Sequence, residues 1–196
     1  MSNQVLKVSM DYLPPSVNNY LKMKVTKRGG NEFVETYESK ESKDFKRYFK
    51  NVLQREIKKQ NWDINNTADF KQHWYLELKF RNDRAGQDTN NYYKVLLDAM
   101  TGVAFVDDQN IQARTHMAII DKFNPGFDLL LRKVPYIGLF KSESQKDEFI
   151  NNNCASCRFF RDGSCRILQD AIDGRASQEL NYHTMKCDKY IEKKRK

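Results

Sequence analysis

Between Asp88 and Asp108 the chain gathers the carboxylates of Asp88, Asp98, Asp107 and Asp108, the amides of Asn90 and Asn91, and Lys94. Oxygen-rich clusters of this kind hold hard divalent cations such as Mg²⁺ or Mn²⁺. A second cluster lies far downstream: Cys154-x2-Cys157-x7-Cys165-x21-Cys187. Its short Cys-x2-Cys step lets two thiolates reach one ion from a tight turn, and four cysteines match a tetrahedral Zn²⁺ site. An iron–sulphur cluster uses the same ligands, and free or disulfide-bonded thiols remain open. His183 is an alternative ligand or a plain surface histidine.

Taken singly, the upstream residues also have ordinary roles. Asp88 suits a helix cap, Lys94 and Asp98 suit a surface pair at i,i+4, and Asp107-Asp108 suits a turn. The combination points further. Convergent carboxylates repel one another, and a divalent cation removes that cost. The formal net charge is +8. A basic chain carrying an acidic cation site suits a metal-assisted reaction on a nucleic-acid phosphodiester.

The elements that must position these residues follow from pattern. Val5 to Leu13 reads as a strand, stopped by Pro14-Pro15-Ser16. Tyr20 to Val25 and Glu32 to Tyr37 flank Lys27-Arg28-Gly29-Gly30 and read as a hairpin with a basic tip. Ser39 to about Gln60 reads as a helix with Ser42 as a candidate cap. Phe45, Tyr48, Phe49, Val52, Leu53 and Ile57 form its apolar face, and lysine and arginine form the other. His73 to Phe80 is the strongest strand pattern. A second helix is expected from Thr89 to Thr101, stopped by Gly102. Its apolar stripe is Tyr92, Val95, Leu96 and Ala99. Asn91, Lys94 and Asp98 form a second stripe, and Asp88 sits at the N-terminus. Val103 to Val106 reads as a short extended run. Strands at Asn110 to Lys122 and Phe127 to Val134 complete the order. The fold class is α+β: a mixed β-sheet with two main helices packed on it, plus a small Cys-rich C-terminal module.

Expected domain bounds are 1–135 for the main α+β domain, 136–152 for a linker with a short helix near Glu143 to Asn151, 153–190 for the cysteine module and 191–196 for a basic tail. The module has few large apolar residues (Phe159, Phe160, Ile167, Leu168, Leu180), so a metal would help it fold. Arg158, Arg161 and Arg166 interleave with its phenylalanines, as in a DNA contact or a partner-docking knob. With 39% hydrophobic and 31% charged residues the chain fits a soluble globular protein. No apolar run spans a bilayer, and the N-terminus Met1-Ser2-Asn3-Gln4 does not resemble a signal peptide. A cytoplasmic location, without membrane attachment, follows by default.

Three segments resemble RusA-type endodeoxyribonucleases, the Holliday-junction resolvases of prophages and bacteria. They are Pro14-Pro15-Ser16-Val17-Asn18-Asn19-Tyr20, then Asp88-Thr89-Asn90-Asn91-Tyr92-Tyr93-Lys94 with Leu97-Asp98-Ala99, then Asp107-Asp108-Gln109-Asn110-Ile111. The resemblance spans about residues 4–134 and leaves the cysteine module uncovered. It implies catalytic roles for Lys94, Asp88 and Asp108. It implies a Mg²⁺ (or Mn²⁺) site at Asp88, Asn90, Asp107 and Asp108, with Asn91 and Asp98 in support. Asp98 either orients Lys94 or extends the metal shell. The implied partners are a four-way DNA junction, cut by paired symmetric nicks, and a second copy in a homodimer.

Lys22, Lys24, Lys27, Arg28, Arg81 and Arg84 are the candidate DNA contacts. Asn18, Asn19 and Tyr20 either shape the site or serve a turn. Asn90 departs from the family pattern, which has a carboxylate there. Three readings stay open: a tolerated variant, an engineered block on cleavage, or a natural loss of catalysis. Two other functions therefore remain beside the nuclease, a non-cutting junction binder and a zinc-containing adaptor or regulator.

Overall fold

The computed structural model describes residues 5–193. The N-terminal stretch Met1 to Gln4 and the last three residues of the basic tail lie outside the described residues. The chain divides into two compact units, Met1–Lys133 and Val134–Lys196.

The first unit is built on strong alternation in β4 (Trp74–Asn82). Trp74, Leu76, Leu78 and Phe80 point to one face and are buried, while Tyr75, Glu77 and Lys79 point to the other. β4 pairs antiparallel with β6 (Gly126–Lys133) and parallel with β5 (Ile111–Ile120), and β6 pairs antiparallel with β1 (Val5–Met10). The sheet is therefore mixed, in the order β1-β6-β4-β5. Gly126 opens β6 where a Cβ would stand 2.1 Å from the Met10 carbonyl oxygen, so only glycine lets the strands meet there.

α2 (Lys40–Gln60) and α3 (Tyr93–Met100) join the apolar face of the sheet in one core. Phe45, Phe49, Val52 and Leu53 of α2 are buried in it, as are Val95, Leu96, Ala99 and Met100 of α3. The cap of α2 is Ser39, not Ser42. Ser39 has extended backbone and its hydroxyl accepts the Ser42 N–H; Ser42 already lies in the first turn. Tyr48, expected on the apolar face, is half-exposed and stacks on Tyr12 at the rim of the core. Asn61, left-handed at φ 53°, ends the helix.

β2 (Leu21–Arg28) and β3 (Asn31–Glu38) form a separate hairpin. Gly29 and Gly30, both at positive φ, make its two-residue turn. Tyr20 is not part of the hairpin. It closes the one-turn helix α1 (Val17–Tyr20), which sequence pattern did not reveal and which Ser16 caps.

The second unit has its own small core of Phe140, Phe149, Cys154, Ile167, Leu168, Ala171 and Leu180. It contains α4 (Glu143–Phe149), a π turn at Ile150–Cys154, α5 (Arg166–Ile172) and the short strands β7 (Leu180–Asn181) and β8 (Lys186–Cys187). Residues 136–152 are therefore no linker, because Phe140 and Phe149 are buried in this core. At Gly138, φ 57°, a Cβ would stand 2.0 Å from the Ala171 carbonyl oxygen. Among the described residues no helix is long and apolar enough to cross a membrane.

Candidate active site

Asp88 does what its position suggests. Its carboxylate accepts the Asn90 N–H at 3.0 Å and opens a single 3-10 turn, Thr89–Tyr92. The helix expected from Thr89 thus starts as this tighter turn and becomes α-helical only at Tyr93. Thr89 and Tyr93 both reach the Thr115 hydroxyl of β5, which ties the turn to the sheet. Asn90 is exposed, and Asn91 is half-buried beside it.

The loop carrying Asp107 and Asp108 is held from below. Val103 to Phe105 is a tight turn rather than an extended run, because Ala104 and Phe105 are buried and the Ala104 carbonyl accepts the Trp62 indole N–H at 2.8 Å. The Val106 N–H donates to Thr67 at 3.0 Å. Asp107 caps its own turn through the Gln109 N–H. Asp108 is half-buried and lies near enough to Lys94 for its charge to contribute to raising the lysine pKa.

These carboxylates do not close on one point. Among the described residues, no group of three or more His, Cys, Asp or Glu side chains is placed to hold a metal ion. Asp88, Asp107 and Asp108 together thus form no three-carboxylate grip, since Asp88 and Asp107 are each turned back onto their own backbone. The donor chemistry still suits Mg²⁺. That ion keeps several waters and takes one or two carboxylates plus substrate phosphate oxygens, and each capping carboxylate retains acceptor positions beyond the single N–H it receives.

Lys94 donates to Asp98 Oδ1 at 2.7 Å, while its side chain remains 58% exposed. That hydrogen bond is the largest influence on Lys94 and raises its pKa above the ordinary value. Two residues beneath it were not picked out by the acidic pattern. Tyr20 donates to Asp98 Oδ2 at 2.5 Å, and Lys46 of α2 donates to the Tyr20 oxygen at 2.8 Å. Lys46 is only 16% exposed and also pairs with Glu38 at 3.1 Å. Burial pushes the Asp98 carboxyl up, but the donors Lys94 and Tyr20 outweigh it and its pKa lies below the usual value. Lys46 looked like one of the solvated lysines of α2. The available signal was its place directly beside Phe45, at the border of the apolar stripe.

The basic candidates separate by geometry. Arg81 is only 17% exposed and donates to Asp128 (2.7 Å), the Asn124 carbonyl (3.1 Å) and the Met10 carbonyl (2.9 Å). It clamps β4 to the β1 and β6 ends. Hairpin register puts Lys22, Lys24 and Arg28 on one face with Phe33 and Tyr37, and Lys27 on the other. Lys24 and Arg28 both pair with Glu35, and Lys27 pairs with Glu32. Arg84 is exposed in the loop before Asp88. A hollow of about 830 Å³ lies beside Lys7, Arg55, Glu77, His116 and Asp128 and contains none of these site residues.

In the second unit Cys154, Cys157, Cys165 and Cys187 all line one cavity of about 190 Å³. No disulfide joins them. Burial, then the neighbouring thiols, push the Cys154 thiol up to about 12. The Leu168 N–H points at the Cys165 sulphur at 3.5 Å, and the Lys189 N–H is directed at Cys187. The four side chains line the cavity, but among the described residues no three of them form a group placed to hold a metal ion. His183 is exposed, stacked on Tyr182, and does not line it.

No curated protein matches the chain significantly. The family model described as Endodeoxyribonuclease RusA matches residues 12–126, which includes α1, the hairpin, α2, α3 and both acidic loops. That match covers more than half of the sequence and contains Tyr20, Lys46, Asp88, Lys94, Asp98 and Asp108, so the chain belongs to the RusA endodeoxyribonuclease family, whose activity is that of Holliday-junction-resolving nucleases.

Proposed function

We propose that the protein is a Mg²⁺-dependent endonuclease that resolves four-way DNA junctions by paired symmetric nicks, acting as a homodimer. The observation that carries this reading is Lys94. Its ammonium is tethered to Asp98 yet open to solvent, beside the charge of Asp108. Of its three N–H donors one is taken by Asp98, and the others suit phosphate oxygens. Lys94 then stabilises the negative charge that develops on the phosphate. Asp88, Asn90 and Asp108, with Asp107 alongside, would hold the cation. When bound, Mg²⁺ polarises the scissile phosphate and lowers the pKa of the attacking water. An amide oxygen at Asn90 ligates without adding charge, which fits a site completed by water and substrate. Lys22, Lys24, Arg28 and Arg84, with Lys27 at the hairpin tip, would follow the DNA backbone. Two identical sites related by a two-fold axis suit two symmetric cuts.

A synthetic four-way junction incubated with the protein, with and without Mg²⁺, tests this. Paired nicks that require Mg²⁺ support it. A shifted but uncut junction replaces it with a junction-binding protein.

We also propose that the four cysteines of the second unit hold a structural Zn²⁺. The support is their shared cavity, the N–H groups aimed at two of the sulphurs and the small size of the surrounding core. Binding would release thiol protons to solvent and draw the four sulphurs together. Elemental analysis of the purified protein decides it: about one zinc per chain supports the site, iron redirects it to a cluster, and no metal rejects it.

A further inference from the structure

We propose that Lys46 and Tyr20 are positioning residues for Lys94, acting through Asp98. This rests on the reading of Lys94 as the cation that faces the phosphate. The geometry is a one-way chain of donors. The Lys46 ammonium donates to the Tyr20 oxygen at 2.8 Å, and has no acceptor capacity of its own. Tyr20 has a single proton, and with its oxygen already accepting, that proton is directed to Asp98 Oδ2 at 2.5 Å. Asp98 Oδ1 is thereby left for Lys94 at 2.7 Å. Each carboxylate oxygen has one assigned donor.

Charge balance supports the same conclusion. Lys46 and Lys94 face Asp98 and Glu38, two cations against two anions. Lys46 also lies 3.7 Å from Asp98 Oδ2 and 4.7 Å above the Tyr20 ring. Asp98 therefore divides its attraction between two ammonium groups. Without Lys46, Lys94 would be the only cation left to neutralise Asp98 and would be held closer to it, further from the DNA. The network also ties α1, the end of β3, α2 and α3 to one point, so the lysine tip is fixed by four elements rather than by its own flexible stem. Lys46 is mostly buried and is not placed to touch DNA.

The test compares Lys46→Met, Lys46→Arg and Tyr20→Phe on a synthetic junction with Mg²⁺. Lys46→Met should lower kcat by about 10- to 100-fold, the usual range for a supporting partner, with KM and junction affinity unchanged. Lys46→Arg should recover part of the loss. Tyr20→Phe keeps the ring and removes the hydroxyl link; it should lower kcat in the same way, and serves if Lys46→Met fails to fold. In a Lys94→Ala background neither change should cost more, because members of one unit are not additive. Unaltered kcat in a folded Lys46→Met and in Tyr20→Phe overturns the proposal. So does a loss that tracks junction affinity, which would make Lys46 a DNA contact. Normal cutting by Lys94→Ala alone is a different failure: it refutes the nuclease assignment of Lys94.

Discussion

The two ends of the candidate site are built on opposite terms. Below Lys94, each charge meets a partner within the protein: Lys94 with Asp98, Asp98 with Tyr20 and Lys46, Lys46 with Glu38. Among the described residues, the Asp88 and Asp107 carboxylates receive one backbone N–H each and no side-chain ion pair. Buried polar groups that lack partners are costly, so pairing within the inner network favours the folded state. The outer carboxylates are exposed, and water satisfies them cheaply until a ligand arrives. The contrast separates charges answered within the fold from charges left to solvent.

The largest effect should come where the two ends meet, at Lys94 and Asp108. Lys94→Ala and Asp108→Asn should each reduce Mg²⁺-dependent cutting by roughly 10²-fold or more, while junction binding in a mobility-shift assay persists. Retained cutting in both variants would erase the distinction between the two ends.

The cysteine cavity offers a second test of the same contrast, since its four thiols meet at most a backbone N–H and no disulfide joins them. Cys154→Ser should abolish metal retention and destabilise the second unit by on the order of 4 kcal/mol, as loss of a structural metal does. Calorimetry with and without a chelator measures it, and a chelator-insensitive transition would mean the unit stands on its apolar core.

A complete ion network far from the chemistry should behave like the inner one. Glu77 is 14% exposed and bonded to Arg114 and Arg132. Arg132 first, then Arg114, lowers its pKa from 4.5 to about 2. Because the folded value lies below the unfolded one, its contribution is present above about pH 4.5 and is lost as pH falls towards 2. Glu77→Gln should cost about 1–3 kcal/mol at neutral pH and flatten the acid limb of urea-denaturation stability against pH. An unchanged acid limb would show the network to be idle.

The smallest effect is expected at Asn90. If Asn90 lies beside the proposed cation, Asn90→Asp adds a charge there, and cutting should stay level or rise by up to about tenfold. A clear fall in rate would remove Asn90 from the metal's surroundings.

Much of this was readable in one dimension. Period-two alternation in β4 and the i, i+3, i+4 spacing of Phe45, Phe49, Val52 and Leu53 fix which faces are buried, because burial of apolar area dominates and those periods are properties of the chain itself. Asp88 as a cap and Lys94–Asp98 as an i,i+4 pair are likewise local. The errors arose where local and long-range contacts compete. Arg81 reads as a free cation until β6 brings Asp128 and the Asn124 carbonyl to it. Residues 136–152 read as polar linker until Phe140 and Phe149 find Ile167 and Leu168. Lys46 reads as solvated until Tyr20 arrives above it.

What the sequence determined alone is the main strands and helices of the first unit, the acidic and cysteine clusters and the family to which residues 12–126 belong. What tertiary structure decided is partnership: which lysine is buried, which arginine is a clamp, which carboxylates are answered. The reason is physical. Periodicity needs only neighbours a few residues apart, but a hydrogen bond such as Tyr20 to Asp98 spans 78 positions, and nothing in the spacing of either residue announces the other.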